Sequence, residues 1–386
     1  MRQPGSDVVI VGGGLMGAAT AFFLRRRGRS VTLLEQGMVG QFASGTNFGN
    51  VRRQGRYLPQ LPLANRSRAI WGRLPELLGE DVEFLPTGHI RICYRQEQIG
   101  VLEAYARDAR AYGLELELIT QNALRHRFPF IGPEAILGSY SPEDGHANPR
   151  LAAPAFARAA VRAGARIHER TQVVSVEKAG EDFAVRCEDG REFRAPIVQI
   201  SAGAWGNLLS ERLGEPVPLV ARGPQMAVTE PAPYAIRPVL GVSTPLTEET
   251  VYLRQIPRGN VIFGGGNRGP AFTDIRRAYV LPDNTLAQLR QIRRVVPQLA
   301  SLRVIRVWSG VESYLPDDRP IMGPSGRVPG LYYAFGFCGH GFQLGPGVGD
   351  VMAELIDTGT TSTPLEPFHI ARFAQNPGTS GTTGVN

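Results

Sequence analysis

Cysteine is scarce. Cys93, Cys187 and Cys338 are the only three in 386 residues, and none forms a C-x-x-C pair. That excludes a disulfide framework and a cysteine-based zinc site, and no metal is expected. Two of them alternate within strand-like patterns, which predicts buried core thiols. Long apolar runs are missing too: nothing approaches the ~18 residues of a membrane span. No signal-peptide pattern precedes the first strand-like run, so a cytoplasmic protein is expected, reaching a membrane only through partners. Lysine is nearly absent, and arginine carries the basic charge, a formal net +7. The arginines are dispersed, apart from short clusters at 25–27, 52–56 and 293–294. With neither a basic tail nor an arginine-aromatic repeat, nucleic acid is not an expected partner. Internal repeats are absent, and the Gly/Thr/Ser-rich stretch 375–386 is predicted to be a disordered tail.

What the chain does carry is organised around residues 8–35. Residues 8–11 are an apolar, β-branched run that reads as a strand. Gly12, Gly14 and Gly17 follow in the spacing G-x-G-x-x-G. Residues 18–24 read as an apolar helix, the arginines at 25–27 suit its C-terminal dipole, and Gly28 is placed to end it. A second strand, 30–34, ends at Glu35, close to the ~20-residue spacing of an acid that binds a ribose hydroxyl. Gly12 permits the sharp turn, Gly14 lets a pyrophosphate approach the backbone, and Gly17 lets helix and strand pack closely. The helix start offers N–H donors and partial positive charge to phosphates. Together these features predict a dinucleotide-binding unit.

The loop 37–56 is rich in Gly, Ser, Asn and Arg and offers donors for an anion. Residues 61–78 read as a helix interrupted at Pro75. Strands are expected at 82–85 and 89–94, helices at 97–112 and 122–127, and turns over 138–149. A helix over 150–163 precedes strands at 166–168 and 173–177. A hairpin, 183–187 with 192–194, turns at Asp189-Gly190. The strand 197–200 runs into 201–205. β-rich sequence follows to residue 264, then a helix over 282–296 that starts at a proline. A strand at 331–335, a glycine-rich turn and a last helix over 345–357 close the chain. Dinucleotide-type segments thus stand at both ends. They predict one nucleotide-binding domain assembled from 1–80, 145–212 and 317–374, interleaved with a mixed-sheet substrate domain from 81–144 and 213–316.

Five stretches carry a family resemblance: VVIVGGGLMGAATAFFL with Glu35, ASGTNFGNVR, APIVQISAGAWGNLL, YLPDDRPIMGP and GLYYAFGFCGHGFQLGPGVGDVMAELI. On these the chain resembles the D-amino-acid oxidase superfamily of FAD amine oxidoreductases, notably the FAD subunits of bacterial D-hydroxyproline, proline and opine dehydrogenases. The resemblance implies an α/β (α+β) fold with a discontinuous Rossmann-type FAD domain and a mixed β-sheet substrate domain. It implies FAD at Gly12, Gly14, Leu15, Met16 and Gly17, with Glu35 and Gln36 at the adenosine ribose. Ser44, Asn47 and Gly49 would run beside the pyrophosphate and isoalloxazine. Val174 would meet the adenine part, Gly203 the far side, and Gly339, His340, Gly341, Phe342 and Gln343 the flavin. No cysteine stands in 309–315, where some members attach flavin, so the FAD is expected to be noncovalent.

The implied chemistry is hydride transfer from the carbon beside an amine to flavin N5, giving an imine that hydrolyses. The implied substrate is a small amino or imino acid of the D-hydroxyproline or D-proline type, or another D-amino acid. An opine or N-methyl amino acid is the alternative. Three positions depart from the family pattern. Glu312 replaces the arginine of W-x-G-x-R-P, Gln343 replaces a carboxylate-binding lysine after G-H-G-F, and Ile262 falls where some oxidases carry an oxygen-activating lysine. A substrate carboxylate is therefore expected on Arg52, Arg53, Arg56 or Arg254, with Tyr252 adding a hydrogen bond. Glu312 either meets a substrate ammonium or guanidinium or pairs with Arg319. No catalytic base is assigned to His340 or His146. The missing lysine favours a dehydrogenase passing electrons to a quinone or partner subunit over an oxidase using oxygen. An FAD subunit active only within a hetero-oligomeric dehydrogenase is a further reading.

Overall fold

A computed structural model describes residues 5–374; the predicted tail, 375–386, lies outside them. The first strand, Val8–Val11, lies inside a six-stranded sheet. The sheet order is Ile321–Pro324, Leu331–Phe335, Ile197–Ile200, Val8–Val11, Val31–Leu34, Arg166–His168. All neighbours are parallel except the edge strand Ile321–Pro324. Val8–Val11 and Val31–Leu34 are buried at every position, as strands covered on both faces must be. Val8, Ile10 and Leu33 pack among the side chains of the helices Leu15–Arg26 and Pro149–Arg162. Val9, Val11 and Leu34 face the other way, onto Phe183, Val185 and Phe193. Those three belong to the antiparallel sheet formed by Val173–Ala179, Asp182–Cys187 and Glu192–Ala195.

The expected last helix starts earlier than its sequence suggests, at Gly341, and runs to Thr358. Its glycines are packing positions, not a turn. A Cβ on Gly345 would stand 2.4 Å from Leu15, and one on Gly349 2.4 Å from Ala19, both on the first helix. One on Gly347 would stand 2.6 Å from Ser67, in the helix Leu61–Trp71. The helix read over 61–78 is broken at Gly72 and Arg73, and Pro75 sits in the first turn of Leu74–Leu78, where its missing N–H costs nothing.

The second large sheet has eight strands, in the order Val304–Ser309, Gln225–Pro231, Asn260–Gly265, Val251–Gln255, Val239–Val242, His89–Cys93, Leu137–Ser141, Glu117–Thr120. The helix Pro282–Val295 covers it through Ile292 and Val295. Leu137–Ser141, read from sequence as turn, is a strand, and Glu117–Thr120 was not anticipated. No strand forms at 82–85, where Leu85 makes a single bridge to His146. All three cysteines are buried and free. Among the described residues, no helix is long and apolar enough to cross a membrane.

Candidate active site

A cavity of about 500 Å³ opens between the two large sheets, within the ~300–1,000 Å³ usual for cofactor and ligand sites. Its wall includes Gly12, Gly14, Leu15, Met16, Glu35, Gln36, Ser44, Asn47, Gly49, Val174 and Gly203 from the expected cofactor set. Gly339, His340, Gly341, Phe342 and Gln343 line it too, as do Arg52, Arg56, Tyr252 and Glu312. Gly17 does not; it serves the turn from behind.

At the N-terminal end the backbone sets the geometry. Gly12 has φ +107°, and a Cβ there would meet the Ser201 carbonyl oxygen at 2.4 Å. A Cβ on Gly17 would come within 2.0 Å of the Gly12 oxygen, so only glycine lets helix and turn close. The helix Leu15–Arg26 has no side-chain cap at Gly14 and no acid in its first turn. The Leu15 N–H instead donates to Ser44 Oγ at 2.8 Å, an oxygen placed where a helix start favours one. Glu35 is buried, its carboxylate accepting the Gly37 N–H at 2.6 Å and the Gly13 N–H at 2.7 Å. Burial still pushes its carboxyl above the usual range, against those two bonds. Opposite, Gly203 has φ +52° and open space where a Cβ would stand. Trp205 Nε1 donates to the Thr273 carbonyl at 2.9 Å, and Arg276 bonds Gln172, tying residues 273–276 to this end of the cavity.

The loop beneath is internally stitched. Asn47 donates to Ser44 and Ala43 carbonyls, at 2.7 and 3.1 Å, and accepts the Gly49 N–H at 2.7 Å. Arg254, expected to hold a substrate carboxylate, is not in the cavity wall. Its Nε donates to the Phe48 carbonyl at 2.7 Å and an Nη to His146 Nδ1 at 3.0 Å, and burial pushes it down to about 10. It shares a strand face with Tyr252, but the Phe48 loop lies between it and the cavity. Arg53 is likewise removed, bonded to Asp144 at 3.1 Å and Glu143 at 2.8 Å.

At the far end His340 immediately precedes the helix start at Gly341, and its side chain makes no capping bond there. Burial, and then Arg56, Arg52, Arg268 and Arg91, hold its imidazole well below its ordinary value, so it is neutral. Glu312 accepts the Gly339 N–H at 3.0 Å. Burial pushes its carboxyl up to about 7, opposed by that bond and by Arg268. The alternative pairing with Arg319 is not formed: that guanidinium lies 4.0 Å over the Tyr57 ring. Gln343 does not replace the family lysine with a cavity-facing group. Its Nε2 donates to the Ala64 carbonyl at 2.8 Å, toward the helix Leu61–Trp71. Ile262 packs with Phe48, Met226, Tyr252 and Trp308. Arg268, whose guanidinium lies 3.9 Å over the Tyr314 ring, lines the cavity and was not anticipated. Its one sequence signal is the glycine run just before it, Gly264–Gly266.

These residues fit the FAD that the resemblance implies. Two buried side-chain atoms of the wall have no partner among the described residues: Asn50 Oδ1 and His340 Nδ1. Uncapped helix starts at Leu15 and Gly341 both meet the cavity. One suits a pyrophosphate and the other the negative edge of a reduced flavin.

The family profile described as DAO, FAD dependent oxidoreductase, matches residues 7–355. Glycine oxidase of Geobacillus kaustophilus is 29% identical, over 95% of this chain and 97% of its own length. An opine oxidase subunit of Rhizobium meliloti is 28% identical, over 95% and 97%. The solved structure of L-proline dehydrogenase from P. horikoshii superposes with a TM-score of 0.89 at 28% identity, covering 96% of this chain and 98% of that one. The chain spans only 41% of human mitochondrial sarcosine dehydrogenase, at 27% identity.

Proposed function

The chain belongs to the DAO family of FAD-dependent oxidoreductases, enzymes of amine and amino-acid oxidation, and we propose that its own substrate is a small amino or imino acid. Bound FAD supplies the hydride acceptor. In this reading Gly12, Gly14, Leu15 and Met16 hold its pyrophosphate, and Glu35 with Gln36 holds the ribose. Ser44, Asn47 and Gly49 run along its middle, with Val174 and Gly203 around the adenosine half. The N–H groups of the helix start at Gly341 stabilise negative charge on the ring edge. Arg52 and Arg56 bind the substrate carboxylate, and Tyr252 adds a hydroxyl. Phe48, Met226 and the Tyr252 ring shield the reacting carbon from water. His340, held neutral, adds no charge to the pocket.

The observation that carries this reading is the meeting in one cavity of the glycine turn, the helix start at Gly341 and the arginines at 52 and 56. Imino acids of the D-hydroxyproline or D-proline type are the first candidates, supported as cyclic imino acids, and not in their configuration, by similarity to an L-proline dehydrogenase. Opine and N-methyl amino acids come next, supported by similarity to an opine oxidase. A dehydrogenase is favoured over an oxidase. Lys178, the one lysine in the chain, lies 4.2 Å from the Phe183 ring and outside the cavity wall. Electrons then pass to a quinone or to a partner subunit, in a cytoplasmic setting. The test is turnover of the FAD-loaded protein on a panel of D- and L-amino and imino acids, with a dye and with oxygen as acceptors. Turnover is expected with the dye and weakly with oxygen. No turnover with either acceptor on any amine overturns the reading.

A further inference from the structure

We infer that Arg268 binds the substrate carboxylate at the mouth of the cavity and so decides which amines the protein accepts. This rests on the amine-oxidation reading above and completes the carboxylate site that Arg52 and Arg56 begin.

Among the described residues the wall holds four arginines, Arg52, Arg56, Arg212 and Arg268. Three have donors already engaged. Arg56 donates through Nε to the Arg52 carbonyl at 3.0 Å, and through its Nη atoms to Gln60 Oε1 at 3.3 Å and the His340 carbonyl at 3.4 Å. Arg52 donates to the Gln54 carbonyl and Arg212 to the Val174 carbonyl. Arg268, exposed at the mouth, makes no hydrogen bond or ion pair among the described residues. Its guanidinium lies 3.9 Å over the ring of buried Tyr314. A planar cation laid on a ring face keeps its N–H edges free, and those edges are where a carboxylate binds bidentately. Tyr314 also ties the site to the proposed flavin end: its hydroxyl stands 3.7 Å from where a Cβ on Gly339 would be, next to His340.

The turn that carries Arg268 is fixed from below. It joins the strands Asn260–Gly265 and Gly269–Phe272. Asn284 and Gln288, both buried, reach it from the helix Pro282–Val295. Asn284 accepts the Asn267 N–H at 2.9 Å and donates to the Gly265 carbonyl at 3.2 Å, and Gln288 donates to that same carbonyl at 2.7 Å. Gly266 has φ +69°, and a Cβ there would meet Asn284 Oδ1 at 2.2 Å. A side chain that orients a ligand needs such support; one that only hydrates a surface does not.

The nearby acids leave the charge unanswered. Glu312 and Asp318 both feel Arg268, yet neither pairs with it. Glu312 accepts the Gly339 N–H at 3.0 Å, and burial holds its carboxyl near neutrality. Arg52 and Arg56, whose charges reach His340 together with that of Arg268, add attraction from behind. A carboxylate seated on Arg268 turns the apolar part of the substrate toward Phe48, Met226 and Tyr252. An amine without a carboxylate forfeits this contact.

The test uses the FAD-loaded protein and two unreactive probes of one shape, pyrrole-2-carboxylate and pyrrole-2-carboxamide, with binding measured by calorimetry. The wild type is expected to bind the carboxylate at least about 10-fold tighter. Arg268→Ala is expected to weaken the carboxylate by about 10-fold and the carboxamide by less than about 3-fold, with Arg268→Lys falling between. Arg277→Ala removes an exposed cation outside the wall and is expected to change either affinity by less than about 2-fold. In a second arm, anaerobic flavin reduction is followed against the concentration of an amino or imino acid. Arg268→Ala is expected to raise the half-saturating concentration about 10-fold and to keep the limiting rate within about 3-fold. Equal affinities of the wild type for the two probes, no binding of either, or an equal loss for both in Arg268→Ala would overturn the inference, as would the same loss in Arg277→Ala. Reduction by amines with carboxylate affinity unchanged in Arg268→Ala overturns the role of Arg268 alone. A carboxylate preference lost in Arg268→Ala without reduction by any amine overturns the oxidation reading, and with it the part given to Arg268.

Discussion

Glu312 is a carboxyl held near neutrality, and its sign of pH dependence follows from the cause. Burial raises it from 4.5 to about 7, with the Gly339 N–H and Arg268 pulling the other way. Between those values the folded chain keeps a proton that the unfolded chain has lost. Stability therefore falls as pH rises through that window, and the cost is complete above about 7. Glu312→Gln is expected to gain on the wild type between about pH 5 and pH 8, by on the order of 1 kcal/mol once the water at its cavity face is allowed for. Melting curves of both proteins check this, and a gap that closes with rising pH contradicts it. Arg254→Ala is expected to cost about 1–3 kcal/mol, because the Phe48 carbonyl and His146 lose a buried donor. Substrate KM should barely move; a tenfold rise at unchanged melting temperature would return Arg254 to the site. Arg254 was expected to hold a substrate carboxylate, but its bond to the Phe48 carbonyl, made across more than two hundred residues, is invisible to spacing. Arg268 went unread for a plainer reason: arginine is so common here that the glycine run before it does not single it out.

The first element was legible because its signals are local. Strand, glycine turn, helix and closing acid all lie within 8–35, and Gly17 is demanded by the Gly12 oxygen five positions before it, although Gly12 itself is demanded by the distant Ser201 carbonyl. The last helix shows the converse. Its glycines at 345, 347 and 349 mimic a loop in sequence, yet they are demanded by helices more than two hundred residues distant. Leu137–Ser141 was misread for the same reason: Gly138 and two serines look like turn chemistry, while pairing on both edges makes a strand. A pair of substitutions separates the two roles of helical glycine. Gly100, in Gln96–Ala109, has nothing within 4 Å of where a methyl would stand, so Gly100→Ala is expected to stabilise by about 0.5–1 kcal/mol. Gly347→Ala meets Ser67 at 2.6 Å. Overpacking at about 1–3 kcal/mol outweighs the same gain in helix propensity, and net loss is expected. Thermal melts of the two variants should move in opposite directions; a rise in both contradicts the packing role.

At the scale of the whole molecule, the cavity joins segments from both ends of the chain with a second sheet from its middle. The discontinuous assembly was foreseen because dinucleotide-type segments recur near both ends; the shape of the cavity's other end was not, because six separated segments build it, around residues 47–56, 224–226, 250–252, 265–268, 311–314 and 334–343. A group bound across those segments stabilises the fold by mass action. FAD at 1,000 times its dissociation constant adds about 4 kcal/mol, so stripping it should lower the melting temperature by on the order of 5–10 °C, and adding FAD back should restore it. The claim beneath all of this is that the cavity oxidises a C–N bond. The direct measurement mixes the FAD-loaded protein with amino and imino acids in the absence of oxygen, and follows the yellow flavin absorbance. The account predicts bleaching by at least one of them, with one imine or its hydrolysis product formed per flavin. Flavin that stays yellow with every amine yet bleaches with dithionite would contradict it.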